Sequence, residues 1–389
     1  MLKNKKILLC VSASISFYKA FEILSLLKKA GADVYVAMSE ATLRFCSPLA
    51  FEALSAHKVL CAANEDWTGG ATHIGYAKVD LAIVAPASAN TISKIACGIA
   101  DNPMLAAILA CPAPKVVAPA ANTNMIENPA IISNLNILRE RGFSVVEPES
   151  KTLACGDVGK GALANPEKIV AEAIRAISRD PFWEGKKVIV TGGATSEKID
   201  PVRAITNFSS GKMARALADA FYYAGAEVTL IASFGAPNAP YSVFKFESSR
   251  ELLAALNAQS ARENDILVMC AAVSDYIPIC AASEKIKKSG SNLKLEFAEN
   301  LDVLGSSNLK CKKIGFKAET DAASAINAAR NMLGRKNLDA VCLNVLGGEV
   351  TFGGENTQIT FVSKAGEKTL PLAPKAKIAA QIAELAKSL

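Results

Sequence analysis

The chain carries the same opening twice. Lys5-Lys6 runs into Ile7-Leu8-Leu9-Cys10-Val11-Ser12, and Lys186-Lys187 runs into Val188-Ile189-Val190-Thr191-Gly192-Gly193. Downstream, Ala30-Gly31-Ala32-Asp33-Val34-Tyr35-Val36-Ala37 is answered by Ala224-Gly225-Ala226-Glu227-Val228-Thr229-Leu230-Ile231. Each set predicts a buried parallel strand, a small-residue turn, an amphipathic helix, an Ala-Gly stop and a second buried strand. That is the opening βαβ unit of an α/β, doubly wound parallel sheet. Such a unit binds a phosphorylated ligand at its first turn, so two nucleotide-type sites are expected.

The length of 389 residues agrees with two domains, since one core serves about 100–200 residues. Ser178-Arg179-Asp180-Pro181-Phe182-Trp183-Glu184-Gly185 reads as the linker, which puts the expected domains at 1–182 and 183–389. The net charge of +6 is spread without a long basic run; nucleic-acid binding is not expected, and the mildly basic surface suits anionic small molecules. The most apolar stretch, Met104 to Ala121, is interrupted by Pro112, Pro114, Lys115 and Pro119, so no membrane span is expected. Ten cysteines without a Cys-x-x-Cys pair, and no signal-like start, lead us to expect reduced thiols in a cytoplasmic protein.

Along the first half we expect a helix over 16–29, strands at 80–86 and 115–119, a helix over 134–141 and a strand at 143–146. Pro148 to Pro166, with Gly156, Gly159 and Gly161, reads as a mobile flap before a helix over 166–177. The second half offers buried strands at 265–271 and 339–343, a late exposed strand at 357–363 and a closing helix over 372–389.

Ser12-Ala13-Ser14 can hold a phosphate with hydroxyls and backbone N–H groups, or can simply cap a helix. Pro86-Ala87-Ser88-Ala89-Asn90-Thr91 repeats the device. Of the two histidines, His73 follows a flexible Gly69-Gly70 and either suits proton transfer or is, as is more frequent, a surface or core histidine, while His57 has no such context. Cys155 is the one thiol in the glycine-rich stretch, where it can act as acid or nucleophile. Asn122, after a strand, can orient a carboxylate or fill a turn. In the second half, Thr191-Gly192-Gly193 is a weak dinucleotide signal without a full G-x-G-x-x-G. Asn207-Phe208-Ser209-Ser210-Gly211-Lys212-Met213 is a stronger phosphate cradle with a cation. Asp275 stands at a strand-end rim, and Glu284-Lys285-Ile286-Lys287-Lys288 is either solvated surface or a triphosphate clamp.

On these residues the first half resembles the flavin-dependent cysteine decarboxylases of flavodoxin-like fold. From about residue 5 to about 380, the order of motifs resembles the bacterial bifunctional phosphopantothenoylcysteine decarboxylase / phosphopantothenate–cysteine ligase family. The resemblance implies a Rossmann-like ligase as second domain. It implies FMN at Ser12, Ser14, Ser39, Pro86, Ser88 and Asn90, His73 as base, and Asn122 with Met125 in a Pro-x-Met-Asn-x-x-Met motif. Cys155 would complete a decarboxylation that passes through a thioaldehyde. For the ligase, Asp200-Pro201-Val202-Arg203, Ala271-Ala272-Val273-Ser274-Asp275-Tyr276, Lys285-Ile286-Lys287-Lys288 and Gly315-Phe316-Lys317-Ala318-Glu319-Thr320 match in order. There Asn207 would stabilise an acyl-cytidylate. Ser210, Gly211, Lys212, Ala271, Ala272, Asp275, Lys287, Asp302, Phe316 and Lys336 would hold CTP with Mg²⁺. The implied assembly is a dodecamer.

The chain departs from the family at several positions. Ala13-Ser14 replaces a glycine pair, Ala121 a methionine, Leu301 a proline, and Met332 a lysine, with Arg330 nearby as a candidate substitute that is not equivalent to lysine at a phosphate. Two other readings share the two openings: a two-domain flavin/nicotinamide oxidoreductase, and a flavin-binding interaction module without activity.

Overall fold

The computed structural model describes residues 2–67, 71–152, 156, 158–288, 290, 292–347, 350–351 and 353–389. The chain divides into two units, Met1–Ser178 and Arg179–Leu389.

In the first unit, β1 (Lys6–Val11), β2 (Asp33–Met38), β3 (Leu81–Ala87), β4 (Lys115–Pro119) and β5 (Ser144–Val145) form one parallel sheet in the order β2-β1-β3-β4-β5. This is the flavodoxin-like doubly wound order, with its switch point between β1 and β3. Leu8, Cys10, Ala82 and Val84 face the helices Ala89–Cys97, Pro103–Ala110 and Pro129–Glu140. The alternate residues Ile7, Leu9 and Val11 are equally buried. Their face is covered by Lys19–Lys29 and Pro166–Ser178, which pack on one another and on β3. Helix Lys19–Lys29 begins later than expected, because Ser14 starts a short 3₁₀ turn over Ile15–Tyr18 that holds Phe17; Ile23 joins Ala20, Leu24 and Leu27 in the buried stripe.

The glycine-rich stretch is organised as an antiparallel hairpin of β6 (Glu149–Thr152) and β7 (Val158–Ala162). Gly159 and Gly161 serve close approach. A Cβ at 161 would stand 2.2 Å from the Ala121 carbonyl oxygen, and one at 159 would stand 2.3 Å from Thr123 Oγ1. The Ala121 N–H donates to Gly161 O at 3.1 Å, tying the hairpin to the exit of β4.

The second unit runs β8 (Lys187–Gly192), a small hairpin of β9 (Ser196–Lys198) and β10 (Ala204–Thr206), β11 (Glu227–Ala232), β12 (Ser242–Lys245) and β13 (Ile266–Met269). It continues with β14 (Tyr276–Pro278), paired to β15 (Phe297–Glu299), then β16 (Lys312–Glu319), β17 (Ala340–Val345), β18 (Asn356–Ser363) and β19 (Gly366–Pro374). The main sheet is β12-β11-β8-β13-β16-β17-β18-β19. Its parallel part, β12 to β17, has the Rossmann order, and β18 and β19 extend it antiparallel.

Strand β19 overturns two expectations. The closing helix starts only at Lys375, after Pro374, and spans Lys375–Leu385. Strand β18 is not the exposed strand: Thr357, Ile359, Phe361 and Val362 are buried, with β19 forming the edge beside it. Pro371 and Pro374 are tolerated there because an edge strand need not donate every N–H.

The expected linker is packed into the second unit. Trp183 is fully buried and meets Phe221 edge-on at 5.0 Å. The Asp180 N–H donates to Ala224 O at 2.7 Å, while its carboxylate takes a hydrogen bond from Lys387 Nζ at 2.5 Å. Among the described residues no helix is long and apolar enough to cross a membrane, and the nine described cysteines are all free thiols.

Candidate active sites

The first site lies where β1 and β3 end side by side. Ser12 is fully buried. Its N–H and hydroxyl donate to Pro86 O at 3.3 and 2.8 Å, and its Oγ accepts the Ser88 N–H at 2.8 Å. Ser14 keeps φ at −145°, so no positive φ is asked of the residues that replace the glycine pair; its hydroxyl donates to Ala120 O at 3.2 Å. Ser39 follows β2 and shares a hydrogen bond of 2.8 Å with Thr42, whose own hydroxyl donates to Val11 O. Ser88 caps helix Ala89–Cys97, with Asn90 exposed in its first turn.

This group of strand exits fits a flavin mononucleotide. The N–H groups of Ala13, Ser14 and Ile15 donate to nothing among the described residues, and unpaired amides at a turn are the donor set that holds a phosphate. Replacing Ser12 with alanine strands the Ser88 N–H. We expect a loss of about 1–3 kcal/mol in denaturant unfolding of the first unit, with flavin lost on gel filtration; an unchanged midpoint would refute the bridging role.

His73 lies in a short helix, Thr72–Tyr76. Its Nδ1 is 2.6 Å from Glu65 Oε1, and its ring meets Trp67 edge-on at 5.4 Å. Among the described residues it makes no hydrogen bond to the strand-exit group. Glu65 and Trp67 were missed in the sequence, because their spacing from His73 follows no periodic signal. Asn122 caps the short helix Thr123–Ile126 by accepting the Asn124 N–H at 2.9 Å, with Met125 exposed in the same turn. His57 pairs with Asp33 at 2.6 Å and stacks on Tyr35, a structural role. Cys155 lies outside the described residues.

The second site is a cleft of about 1300 Å³ that gathers Asn207, Ser210, Gly211, Lys212, Ala271, Ala272, Asp275, Asp302, Phe316 and Lys336. Gly211 starts helix Lys212–Ala224 with φ of 70°, and a Cβ there would stand 2.2 Å from the Phe234 ring. Phe234 and Ser233 also fill the space over Gly192-Gly193, where a Cβ on Gly193 would meet Ser233 Oγ at 2.1 Å. The Ser233 and Phe234 side chains therefore use the space that these two glycines leave open. Asn207 Nδ2 donates to Val273 O at 3.0 Å. Asp302 caps a short turn through the Gly305 N–H and pairs with Lys336 at 2.9 Å. Burial disfavours its charge, but Lys336 and the amide outweigh this and hold the carboxyl below its ordinary value.

Lys287 stands apart from the lining and is exposed. Its neighbour Ile286 is anchored: the Ile286 N–H donates to Asp200 at 3.1 Å, and Arg203 donates to Ile286 O at 2.8 Å. Arg203, with the amides of Val202, Ile286 and Arg203, keeps the Asp200 carboxyl well below the usual range despite burial. Stability from this group is therefore present above the ordinary carboxylate pKa and lost as pH falls through the depressed one. Asp200→Asn should be less stable than wild type at neutral pH, and the difference in melting temperature should close on strong acidification; a constant gap would refute the linkage.

Arg330 does not replace the missing lysine. It pairs with Glu367 on β19 at 2.7 Å and is absent from the lining. Met332 lines the cleft, and its methyl packs over Gly315, where a Cβ would approach it to 2.9 Å. The nearby cation in the lining is Arg335, which with Asn331 and Lys375 was missed in the sequence because no motif marks it. Among the described residues no three ligating side chains cluster as a metal site. Asp302 and Glu355 are both engaged with lysines, so the donor set fits a Mg²⁺ carried by nucleotide phosphates.

Both units match known families. Residues 1–178 match the flavoprotein family, and residues 183–389 match the DNA/pantothenate metabolism flavoprotein C-terminal domain. The coenzyme A biosynthesis bifunctional protein CoaBC of Bacillus subtilis is 39% identical over 98% of this chain and 96% of its own. Its Haemophilus influenzae counterpart is 37% identical over 98% of this chain and 96% of its own, and that of Escherichia coli K12 is 38% identical over 96% and 94%. With both units matched in order and nearly the full length shared, the chain belongs to the family of bifunctional enzymes of coenzyme A biosynthesis.

Proposed function

We propose that the second unit joins 4'-phosphopantothenate to L-cysteine using CTP, and that the first unit decarboxylates the resulting 4'-phosphopantothenoylcysteine to 4'-phosphopantetheine using FMN. The observation that carries this division is the contrast between the two strand-end sites. One offers amides and hydroxyls suited to a single phosphate, and the other a wide cleft with Lys212, Lys336, Arg335 and Lys375 suited to a triphosphate.

In the ligase reaction a carboxylate oxygen of phosphopantothenate attacks the α-phosphorus of CTP, and pyrophosphate leaves. The cysteine amine then attacks the acyl-cytidylate carbon, CMP leaves with the bonding pair, and the amine loses a proton. Asn207 directs its amide toward the charge that develops on the acyl-cytidylate. Ser210, Gly211, Lys212, Ala271, Ala272, Asp275, Asp302, Phe316 and Lys336 hold the nucleotide, Lys287 stays outside this set, and Mg²⁺ arrives on the phosphates.

FMN, when bound, would supply a two-electron sink that permits loss of CO₂ and would return both electrons to the decarboxylated product. Ser12, Ser14, Ser39, Pro86, Ser88 and Asn90 hold its phosphate and ring. Asn122 orients the carboxylate, with Met125 beside it. His73 moves the proton through Nε2 while Glu65 holds Nδ1. Cys155 donates a proton from the hairpin.

A cytoplasmic dodecamer in which each flavin is met by a neighbouring subunit rests on the resemblance to the bifunctional family alone; light scattering reads the assembly directly. The lack of a full G-x-G-x-x-G after Thr191 weighs against a nicotinamide oxidoreductase. A mass-resolved assay from phosphopantothenate, cysteine and CTP tests both halves at once. Phosphopantetheine and pyrophosphate are expected. NADPH oxidation without pyrophosphate would overturn the ligase, and a yellow protein that evolves no CO₂ would leave only a flavin-binding module.

A further inference from the structure

One cation of the second unit's cleft carries an acidic partner that lies outside the lining. Glu355 is mostly exposed, yet its carboxylate is paired with Lys212 of the Ser209-Ser210-Gly211-Lys212 cradle. The backbone around it is held by Lys375, whose Nζ donates to Gly354 O and whose N–H donates to Glu355 O at 3.0 Å. Gly353 packs against Ser210, with an added Cβ 3.9 Å from the serine Cβ. Lys212, Gly353 and Lys375 all line the cleft. The Glu355 carboxylate is paired with Lys212, and its charge also acts on Lys375. Burial, followed by repulsion from Lys212, lowers the pKa of Lys375, and the Glu355 charge partly offsets this. Two cations in the field of one exposed carboxylate, paired with the first of them, form an arrangement in which a stronger, multidentate anion displaces the weaker one.

We propose that Lys375 is a further triphosphate-binding residue and that Glu355 is its built-in competitor, an internal anion that sits on Lys212 until the nucleotide phosphates displace it. This rests on the ligase reading and deepens it. The displaced acid sets a threshold: a nucleotide must bring enough phosphate charge to break the Lys212 pair, so CTP engages the cleft fully and CMP, the spent nucleotide, does not. Release of CMP is favoured for the same reason, since Glu355 returns to Lys212 as pyrophosphate departs.

Calorimetric titration of the full-length protein with CTP and with CMP tests this. Glu355→Gln keeps the shape and removes the charge, so CTP should bind about three- to fivefold tighter, with CMP unchanged and the gain shrinking as salt rises. Glu355→Asp should stay near wild type. Lys375→Gln should weaken CTP about tenfold and leave CMP alone. A merely structural Glu355 would make Glu355→Gln neutral or weaker toward CTP, and either result overturns the proposal while wild type still binds CTP and releases pyrophosphate. If wild type does neither, the ligase reading itself falls.

Discussion

Asn207→Asp should stop the first reaction and spare the second. The Asn207 amide donates to Val273 O at 3.0 Å at the wall of the cleft. An aspartate loses that donor and sets one carboxylate oxygen against a carbonyl oxygen. It also adds a negative charge where a triphosphate and a reacting carboxylate must meet. Loss of one donor facing developing charge costs about 10²–10³ in rate, and the added repulsion pushes the effect to the upper end. Pyrophosphate release is the measurement. Supplied 4'-phosphopantothenoylcysteine should still be decarboxylated at the wild-type rate, and an unchanged melting transition of the second unit separates the effect from misfolding. Ligase activity within about threefold of wild type would remove Asn207 from the reaction.

His73→Asn is expected to produce the mirror pattern. The 2.6 Å contact between Nδ1 and Glu65 leaves Nε2 as the ring atom available for proton transfer. Asparagine can still donate to Glu65, but it has no nitrogen that takes up a proton near neutrality. The decarboxylase should fall by about 10²–10⁴, and 4'-phosphopantothenoylcysteine should accumulate while pyrophosphate release continues. Flavin absorbance should be retained, since His73 makes no hydrogen bond to the strand exits among the described residues. Glu65→Gln weakens the orientation without removing the imidazole, so it should lie between wild type and His73→Asn. Loss of flavin in His73→Asn would assign the histidine to cofactor retention instead.

The βαβ openings were legible because buried parallel strands are continuous apolar runs, and Ile7–Val11 and Val188–Val190 are buried on both faces. Strand β19 was not legible. Glu367, Lys368 and Thr369 are polar and exposed, and prolines interrupt the rest, so neither apolar continuity nor a helical stripe marks it. The cradle at Asn207–Lys212 could be read because its residues are consecutive. Glu65, Arg335, Glu355 and Lys375 could not, because only the fold brings them to their partners. The contacts of Gly159 and Gly161 were not legible for a related reason: sequence shows that glycine permits freedom, whereas the closeness of Ala121 and Thr123 comes only from the fold.

The pairing of Asp180 with Lys387 brings the first and last turns of the second unit within one hydrogen bond of each other. Its ends are therefore near enough to be spliced with a short linker. A circular permutant can be opened in the exposed turn at Asn238 and rejoined from Leu389 to Arg179, leaving the cleft intact. The same proximity bears on handling of the protein: a purification tag after Leu389 emerges beside the segment that begins the second unit, whereas the permutant frees a terminus at Asn238 for labels and surface attachment.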